Sequence, residues 1–350
     1  MRQLRVLVAD DSAFSRRAIA DILAQLPGVE VIGKAVDGEQ ALSLSLLEKP
    51  DLVTLDLEMP RMDGFTFLRI LMARQPTPVI VVSSRVAKAD VFRALELGAI
   101  DFVMKPSGGA PQELASIRDD LSSKIALVRQ LRPLRAQERV ASSSFLRAVT
   151  DERPVPLDSA PRKLVVVGAS TGGPPALVRM FSRWSADLPA AFVVAQHMPE
   201  RFTRTFAERL ERLAGLRVSE VEDSAILRAG RAFVCPGGQC VEVQSRPTGL
   251  YLQVVSPQPE DRYVPSVDRL FRSAAEVFGP RVIAVVLTGM GDDGTRGAAA
   301  VHAGGGLVLC ESEGSSAIHG MPGSVVRAGL ADDVLPLQAL TERVARLVRE

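Results

Sequence analysis

Short apolar stretches recur along the first part of the chain at 4–9, 29–36, 52–55, 78–82 and 99–104, separated by longer segments whose apolar positions return at helical spacing. Strand-length apolar runs alternating with amphipathic helices predict βα repeats around a parallel sheet. A helix is predicted over 111–131, after which the rhythm stops. It resumes with apolar runs at 163–167, 191–195, 232–235, 282–287 and 306–309, which predict a second α/β unit. Between the two, Ser142-Ser143-Ser144, mixed charges and prolines at 133, 154, 156 and 161 have the composition of a linker. The expected organisation is a domain over 1–125, a linker over 126–161 and a second domain over 162–350.

The length changes this picture little: 350 residues exceed the roughly 250–300 at which a single core stops growing, in keeping with two domains. Hydrophobic residues make up 47% and charged residues 24%, and no apolar run approaches the roughly 20 residues of a membrane helix. No membrane insertion is expected. Met1-Arg2-Gln3-Leu4-Arg5-Val6 runs directly into a strand pattern without the parts of a signal peptide, so the expected location is cytoplasmic. A formal charge of +1 with interspersed signs gives no reason to expect nucleic acid as a partner. Cys235, Cys240 and Cys310 are too few for a disulfide framework and lack zinc-site spacing, so buried free thiols are expected.

In parallel α/β sheets the working residues collect at the carboxyl ends of the strands. In the first domain those ends carry Asp10-Asp11, Asp56, Ser83-Ser84 and Lys105-Pro106. Three carboxylates at one edge repel one another unless a cation sits among them, and hard oxygen ligands suit Mg²⁺. A lysine and a hydroxyl facing the same edge would bind the oxygens of a phosphoryl group carried on a carboxylate. Any one of these residues alone reads as a solvated acid at a loop start; the set does not. Val8-Ala9-Asp10-Asp11-Ser12, the run from Leu55 through Asp56, Glu58 and Pro60 to Gly64, and Lys105-Pro106 resemble a response-regulator receiver domain over nearly all of 1–125. That resemblance implies a flavodoxin-like (βα)5 fold in which Asp56 accepts phosphate from a chemotaxis histidine kinase. It also implies that Asp10, Asp11, Asp56 and the Glu58 carbonyl hold Mg²⁺, that Ser83 is the switch hydroxyl, that Lys105 pairs with the phosphoryl group, and that Phe102 is the aromatic that reorients on activation.

In the second domain the strand 163–167 runs into Gly168-Ala169-Ser170-Thr171-Gly172-Gly173 and a helix predicted to begin near Pro174. This fits the G-x-S-x-G turn that exposes a nucleophilic serine, and equally the glycine-rich turn that opens a dinucleotide-binding fold. The spacing is not G-x-G-x-x-G, and the next strand ends in Gln196-His197 where a ribose-binding acid would be expected. A histidine one strand from a serine is what a nucleophile–base pair requires, although a lone strand-end histidine is more often structural. Leu287-Thr288-Gly289-Met290-Gly291-Asp292-Asp293-Gly294, beyond a further apolar strand, offers a carboxylate and amides, or alternatively a solvated metal or phosphate loop. The order Ser, His, Asp disfavours an α/β-hydrolase fold, which would have to use His302 or His319 as its base.

These segments, together with Gln196-His197-Met198-Pro199, Arg201-Phe202-Thr203, Pro265-Ser266-Val267-Asp268 and Gly320-Met321-Pro322, resemble the catalytic domain of chemotaxis protein-glutamate methylesterases, the CheB family. The resemblance implies a doubly wound α/β domain with a mainly parallel sheet and no cofactor of its own. In it Ser170 is the nucleophile, His197 the general base and acid, Asp293 the residue that orients the imidazole, and the Met290 N–H an oxyanion donor. His319 departs from the family, which commonly has an aromatic residue there. The implied activity is demethylation of glutamyl methyl esters and deamidation of glutamines on methyl-accepting chemotaxis receptors, by a monomer whose unphosphorylated receiver covers the hydrolase cleft. A non-enzymatic binding domain and a dinucleotide-dependent oxidoreductase are the competing classes.

Overall fold

In a computed structural model of the chain the described residues are 3–83, 88–105, 111–128 and 159–350. Residues 129–158, most of the expected linker, lie outside them, as do Ser84, Pro106 and the side chain of Ser83. The chain divides into two compact units, residues 1–145 and 146–350.

The first unit alternates β1 (Leu4–Ala9), α1 (Ala13–Ala24), β2 (Val29–Ala35), α2 (Gly38–Glu48), β3 (Leu52–Asp56), α3 (Gly64–Arg74), β4 (Val79–Ser83), α4 (Lys88–Glu96), β5 (Asp101–Met104) and α5 (Pro111–Val128). All strand pairs are parallel, in the order β2-β1-β3-β4-β5. Short polar residues start the helices: Ser12 accepts the Ser15 amide, Asp37 that of Gln40 and Asp63 that of Thr66, each meeting a helix N–H that would otherwise lack an acceptor. Ile19, Leu23, Ile117 and Leu121 bury the inner faces of α1 and α5 against Val6, Val8 and Ile80. The predicted strands agree with these spans to within two residues, and the predicted helix at 111–131 is described as far as Val128.

The second unit is built on β6 (Lys163–Ala169), α6 (Gly173–Phe181), β7 (Ala190–Gln196), α7 (Glu200–Leu213), β8 (Arg217–Glu220), β9 (Ser224–Ile226), β10 (Arg231–Val234), β11 (Cys240–Arg246) and β12 (Gly249–Val255). It continues with α8 (Val267–Phe278), β13 (Val282–Val286), α9 (Thr295–Ala303), β14 (Leu307–Glu311), α10 (Met321–Arg327), β15 (Asp333–Leu335) and α11 (Leu337–Leu347). Seven strands form a parallel sheet in the order β15-β14-β13-β6-β7-β10-β8. Beyond the sequence reading, β11, β12 and β9 form a separate antiparallel sheet. Its apolar face, with Val241, Val243 and Leu252, joins the core beside Leu270 and Phe271 of α8.

The order of the larger sheet fixes where chemistry can occur. From β6 the chain moves to β7 on one side, and from β13 it moves to β14 on the other, so the crossovers diverge and leave a crevice at the carboxyl ends of β6 and β13. In the first unit the same reversal falls at β1 and β3. All three cysteines are buried free thiols, and burial pushes Cys240 up to about 11 and Cys310 up to about 12. Among the described residues no helix is long and apolar enough to cross a membrane.

Trp184, the chain's one tryptophan, packs on Phe192 with ring centroids 4.7 Å apart and on Phe181 at 5.0 Å. Its fluorescence therefore follows unfolding of the second unit. Phe192→Ala removes a fully buried ring and is expected to cost about 3–5 kcal/mol, lowering the denaturant midpoint seen by tryptophan fluorescence at unchanged slope. An unmoved midpoint would show that the ring cluster contributes no packing energy.

Candidate functional site

At the reversal of the first sheet, Asp10 and Asp56 are buried and Asp11 is exposed. The three carboxylates offer oxygens within 4.8 Å of one another. Lys105 reaches across from the end of β5, its Nζ 2.5 Å from Asp56 Oδ2, 3.1 Å from Asp10 Oδ1 and 3.9 Å from Asp11 Oδ1. Burial pushes the Asp56 carboxyl up to about 6, against the lowering effect of Lys105 and with a further rise from Asp10. Burial pulls the Lys105 ammonium down, but its bond to Asp56 and the nearby acids outweigh this and raise it. Asp10 Oδ2 is buried and, among the described residues, has no hydrogen-bond partner. Among the described residues, one ammonium faces three carboxylates and one oxygen is unsatisfied, a donor set that fits a hard divalent cation.

Glu58 meets this pocket through its backbone, its N–H donating to Asp56 Oδ1 at 3.3 Å. Phe102 is buried in β5, and the Lys124 ammonium lies 5.2 Å from its ring centroid while donating to its carbonyl. Lys124 is held in turn by Asp101 at 3.2 Å and Asp120 at 3.1 Å. Ser83 closes β4, and its side chain is outside the described residues.

At the crevice of the second sheet, Ser170 follows β6, His197 follows β7, and the loop 287–294 follows β13. The strand register carries the first two together: Ala169 pairs with Gln196, and the His197 N–H donates to Ala169 O at 3.0 Å. The Ser170 N–H donates to Thr288 O at 3.0 Å, tying the serine turn to the loop from β13. Gly172 turns the chain into α6 at φ +78°, where a Cβ would also lie 2.5 Å from that of Ala317. A Cβ on Gly289 would lie 2.8 Å from Ser170 Cβ, so the loop reaches the serine only because residue 289 has no side chain.

Asp293 is buried and accepts four hydrogen bonds. His197 Nε2 lies 2.8 Å from Oδ2, which also accepts the Val267 N–H at 2.9 Å; Oδ1 accepts the N–H groups of Asp268 at 2.9 Å and Gly294 at 3.0 Å. Val267 and Asp268 are the first residues of α8, so the carboxylate sits at the positive end of that helix. Asp268 steadies the same corner by accepting from Gly294 at 2.9 Å, Gly297 at 2.8 Å and Arg296 Nε at 2.8 Å.

Around Met290, Gly289 donates to Ile318 O and accepts from Gly320 and Met321, whereas among the described residues the Met290 N–H has no protein acceptor. His319 bridges to Gly289 through its backbone, and among the described residues its buried Nδ1 has no partner. Burial holds its imidazole below the usual range. His302, in α9, takes part in none of these contacts to Ser170 or Asp293.

Three residues with no assigned part in the sequence reading also meet at this crevice. The Tyr263 ring stacks on His197, with centroids 5.1 Å apart and planes at 5°. The Gln196 side chain lies under Ser170 and His197, bonded to the carbonyls of both. Buried Glu311 accepts the Thr288 N–H at 2.9 Å. Motif spacing flags neighbours of these residues, but only the fold shows which of them touch.

Residues 165–344 match the family described as CheB methylesterase, and residues 6–117 match the response regulator receiver domain. Protein-glutamate methylesterase/protein-glutamine glutaminase 3 of Geobacter sulfurreducens is 47% identical over 98% of this chain and 97% of its own length. Protein-glutamate methylesterase/protein-glutamine glutaminase 6 of Anaeromyxobacter dehalogenans is 49% identical over 100% of this chain and 97% of its own length. The crystal structure of the Thermotoga maritima CheB methylesterase catalytic domain is 36% identical, with a TM-score of 0.52, over 54% of this chain and 99% of that one. With a crevice of this geometry and likeness along its full length, the chain belongs to the CheB methylesterase family and carries that family's catalytic domain behind a response regulator receiver domain.

Proposed function

We propose that this chain is a phosphorylation-regulated protein-glutamate methylesterase and protein-glutamine glutaminase that acts on methyl-accepting chemotaxis receptors. It works in the cytoplasm as a monomer, with residues 1–125 as receiver, 126–161 as linker and 162–350 as hydrolase. The observation that carries the chemistry is the 2.8 Å bond between His197 and Asp293, beside the turn that holds Ser170. Asp293 is surrounded by donors, so its bond to Nε2 requires the proton to be on that nitrogen, and the bare lone pair is on Nδ1.

Ser170 Oγ attacks the side-chain carbonyl of a glutamyl methyl ester while His197 Nδ1 takes the hydroxyl proton. Asp293 stabilises the imidazolium that forms, and the Met290 N–H donates to the developing oxyanion. The imidazolium returns its proton to the departing methoxide, releasing methanol and leaving an acyl-serine. Water, deprotonated by His197, then cleaves the acyl bond to give glutamate and free Ser170. A glutamine follows the same path, with ammonia leaving.

In the receiver, Asp56 takes a phosphoryl group from a chemotaxis histidine kinase, and Asp10, Asp11, Asp56 and the Glu58 carbonyl would hold Mg²⁺. When bound, Mg²⁺ supplies positive charge against the carboxylates and the incoming phosphoryl oxygens. Lys105 pairs with the phosphoryl group, Ser83 supplies the switch hydroxyl, and Phe102 is the ring that responds. The new charge of about −1.5 to −2 on Asp56 is the signal that raises hydrolase activity.

Methanol release from a methylated receptor fragment tests this reading. Ser170→Ala is expected to abolish release at an unchanged melting temperature, and retained release would refute the nucleophile. In wild type, a small-molecule phosphodonor with Mg²⁺ is expected to raise the rate, and a chelator or Asp56→Asn to abolish the rise; activation that survives Asp56→Asn would place the signal elsewhere. Asp293→Asn sets an amide against backbone donors and is expected to lower kcat about 10⁴-fold with little change in KM.

A further inference from the structure

We infer that Gln196 is a positioning residue that locks the serine turn to the histidine, a role that rests on the assignment of Ser170 and His197 above. Gln196 ends β7 and is buried. Its Nε2 donates to Ser170 O at 2.9 Å and to His197 O at 3.0 Å, so one amide spans the two residues between which the proton must pass. The orientation is dictated chemically, because a rotated amide would set Oε1 against two carbonyl oxygens.

The other end of the amide has no freedom to compensate. Oε1 is buried, has no hydrogen-bond partner among the described residues and lies 2.1 Å from where a Cβ on Gly173 would stand. The buried amide thus places both N–H bonds of one side chain on the backbone carbonyls of the reacting pair. Gly173, whose N–H donates to Ser170 O at 2.8 Å, is the second tie on the same carbonyl. Besides Gln196, the nearby backbone bonds run from His197 N–H to Ala169 O and from Ser170 N–H to Thr288 O, and neither links Ser170 to His197 directly. Gln196 carries no proton in the reaction and touches no reacting atom; it fixes the separation that proton transfer demands.

The test uses the full chain with Gln196→Met, which keeps the bulk and loses the donor, Gln196→Glu, which turns oxygens toward both carbonyls, and Gln196→Asn, which keeps the amide but is one methylene short. Each is measured for melting temperature, for kcat and KM of methanol release, and for the rate of covalent labelling by a fluorophosphonate, which needs the serine and its base but no receptor. Labelling rate and kcat are expected to fall about 10–10²-fold with KM unchanged within about twofold, in every variant that melts with wild type. Wild-type labelling and turnover in those variants would overturn the proposal, as would a rise in KM at constant kcat or a loss that only follows the unfolded fraction. If wild type is labelled at Ser170 but releases no methanol, the receptor substrate is wrong and the labelling rates alone decide the role of Gln196. Wild type that is not labelled overturns both readings.

Discussion

A buried carboxylate met by backbone donors governs the second unit. Among the described residues no lysine or arginine is bonded to Asp293; three backbone N–H groups and the imidazole meet the carboxylate. Two of those N–H groups are the first of α8, which would otherwise lack acceptors, so one contact caps the helix and solvates the anion. The arrangement requires α8 to begin at a fixed point beneath the loop from β13, and the Asp268 bonds to Gly294 and Gly297 hold α9 to the same point. The antiparallel sheet that packs on α8 belongs to this support as well.

The receiver buries carboxylates under the opposite rule. Among the described residues Asp56 and Asp10 share one lysine and an oxygen of Asp10 has no partner, and burial drives Asp56 up to about 6. A site satisfied by its own amides is suited to unchanging work, whereas one left short of positive charge responds to what arrives. Two parallel sheets, each at the crevice where its strand order reverses, thus hold one carboxylate met by amides and one group of carboxylates short of positive charge.

Much of this was legible in the order of residues. The parallel strands announced themselves as apolar runs because both faces are covered, and the glycine-flanked Ser170 and Asp293 loops stood at their ends. In the sheet of β9, β11 and β12 neither β11 nor β9 shows such an apolar run: in Cys240–Arg246 the apolar residues alternate with Glu242 and Gln244, the mark of a strand covered on one face, and β9 is only three residues long. Gln196 and Tyr263 illustrate a different limit. Both belong to or adjoin quoted motifs, but an amide bonded to two carbonyls and a ring stacked on an imidazole are relations between distant segments, which no local pattern encodes.

The absence of a side chain at Gly289 has a consequence for how such an enzyme can diversify. Because the loop from β13 lies against Ser170 with no room for even a methyl group, the floor of the crevice admits almost no change of shape. Tyr263, Arg262 and Asp292 at the rim are partly or fully exposed, and both the Arg262 guanidinium and the Tyr263 hydroxyl bond to the Asp292 carboxylate. Variation is therefore channelled outward, and a lineage built on this scaffold can revise what it admits while the chemistry beneath stays the same.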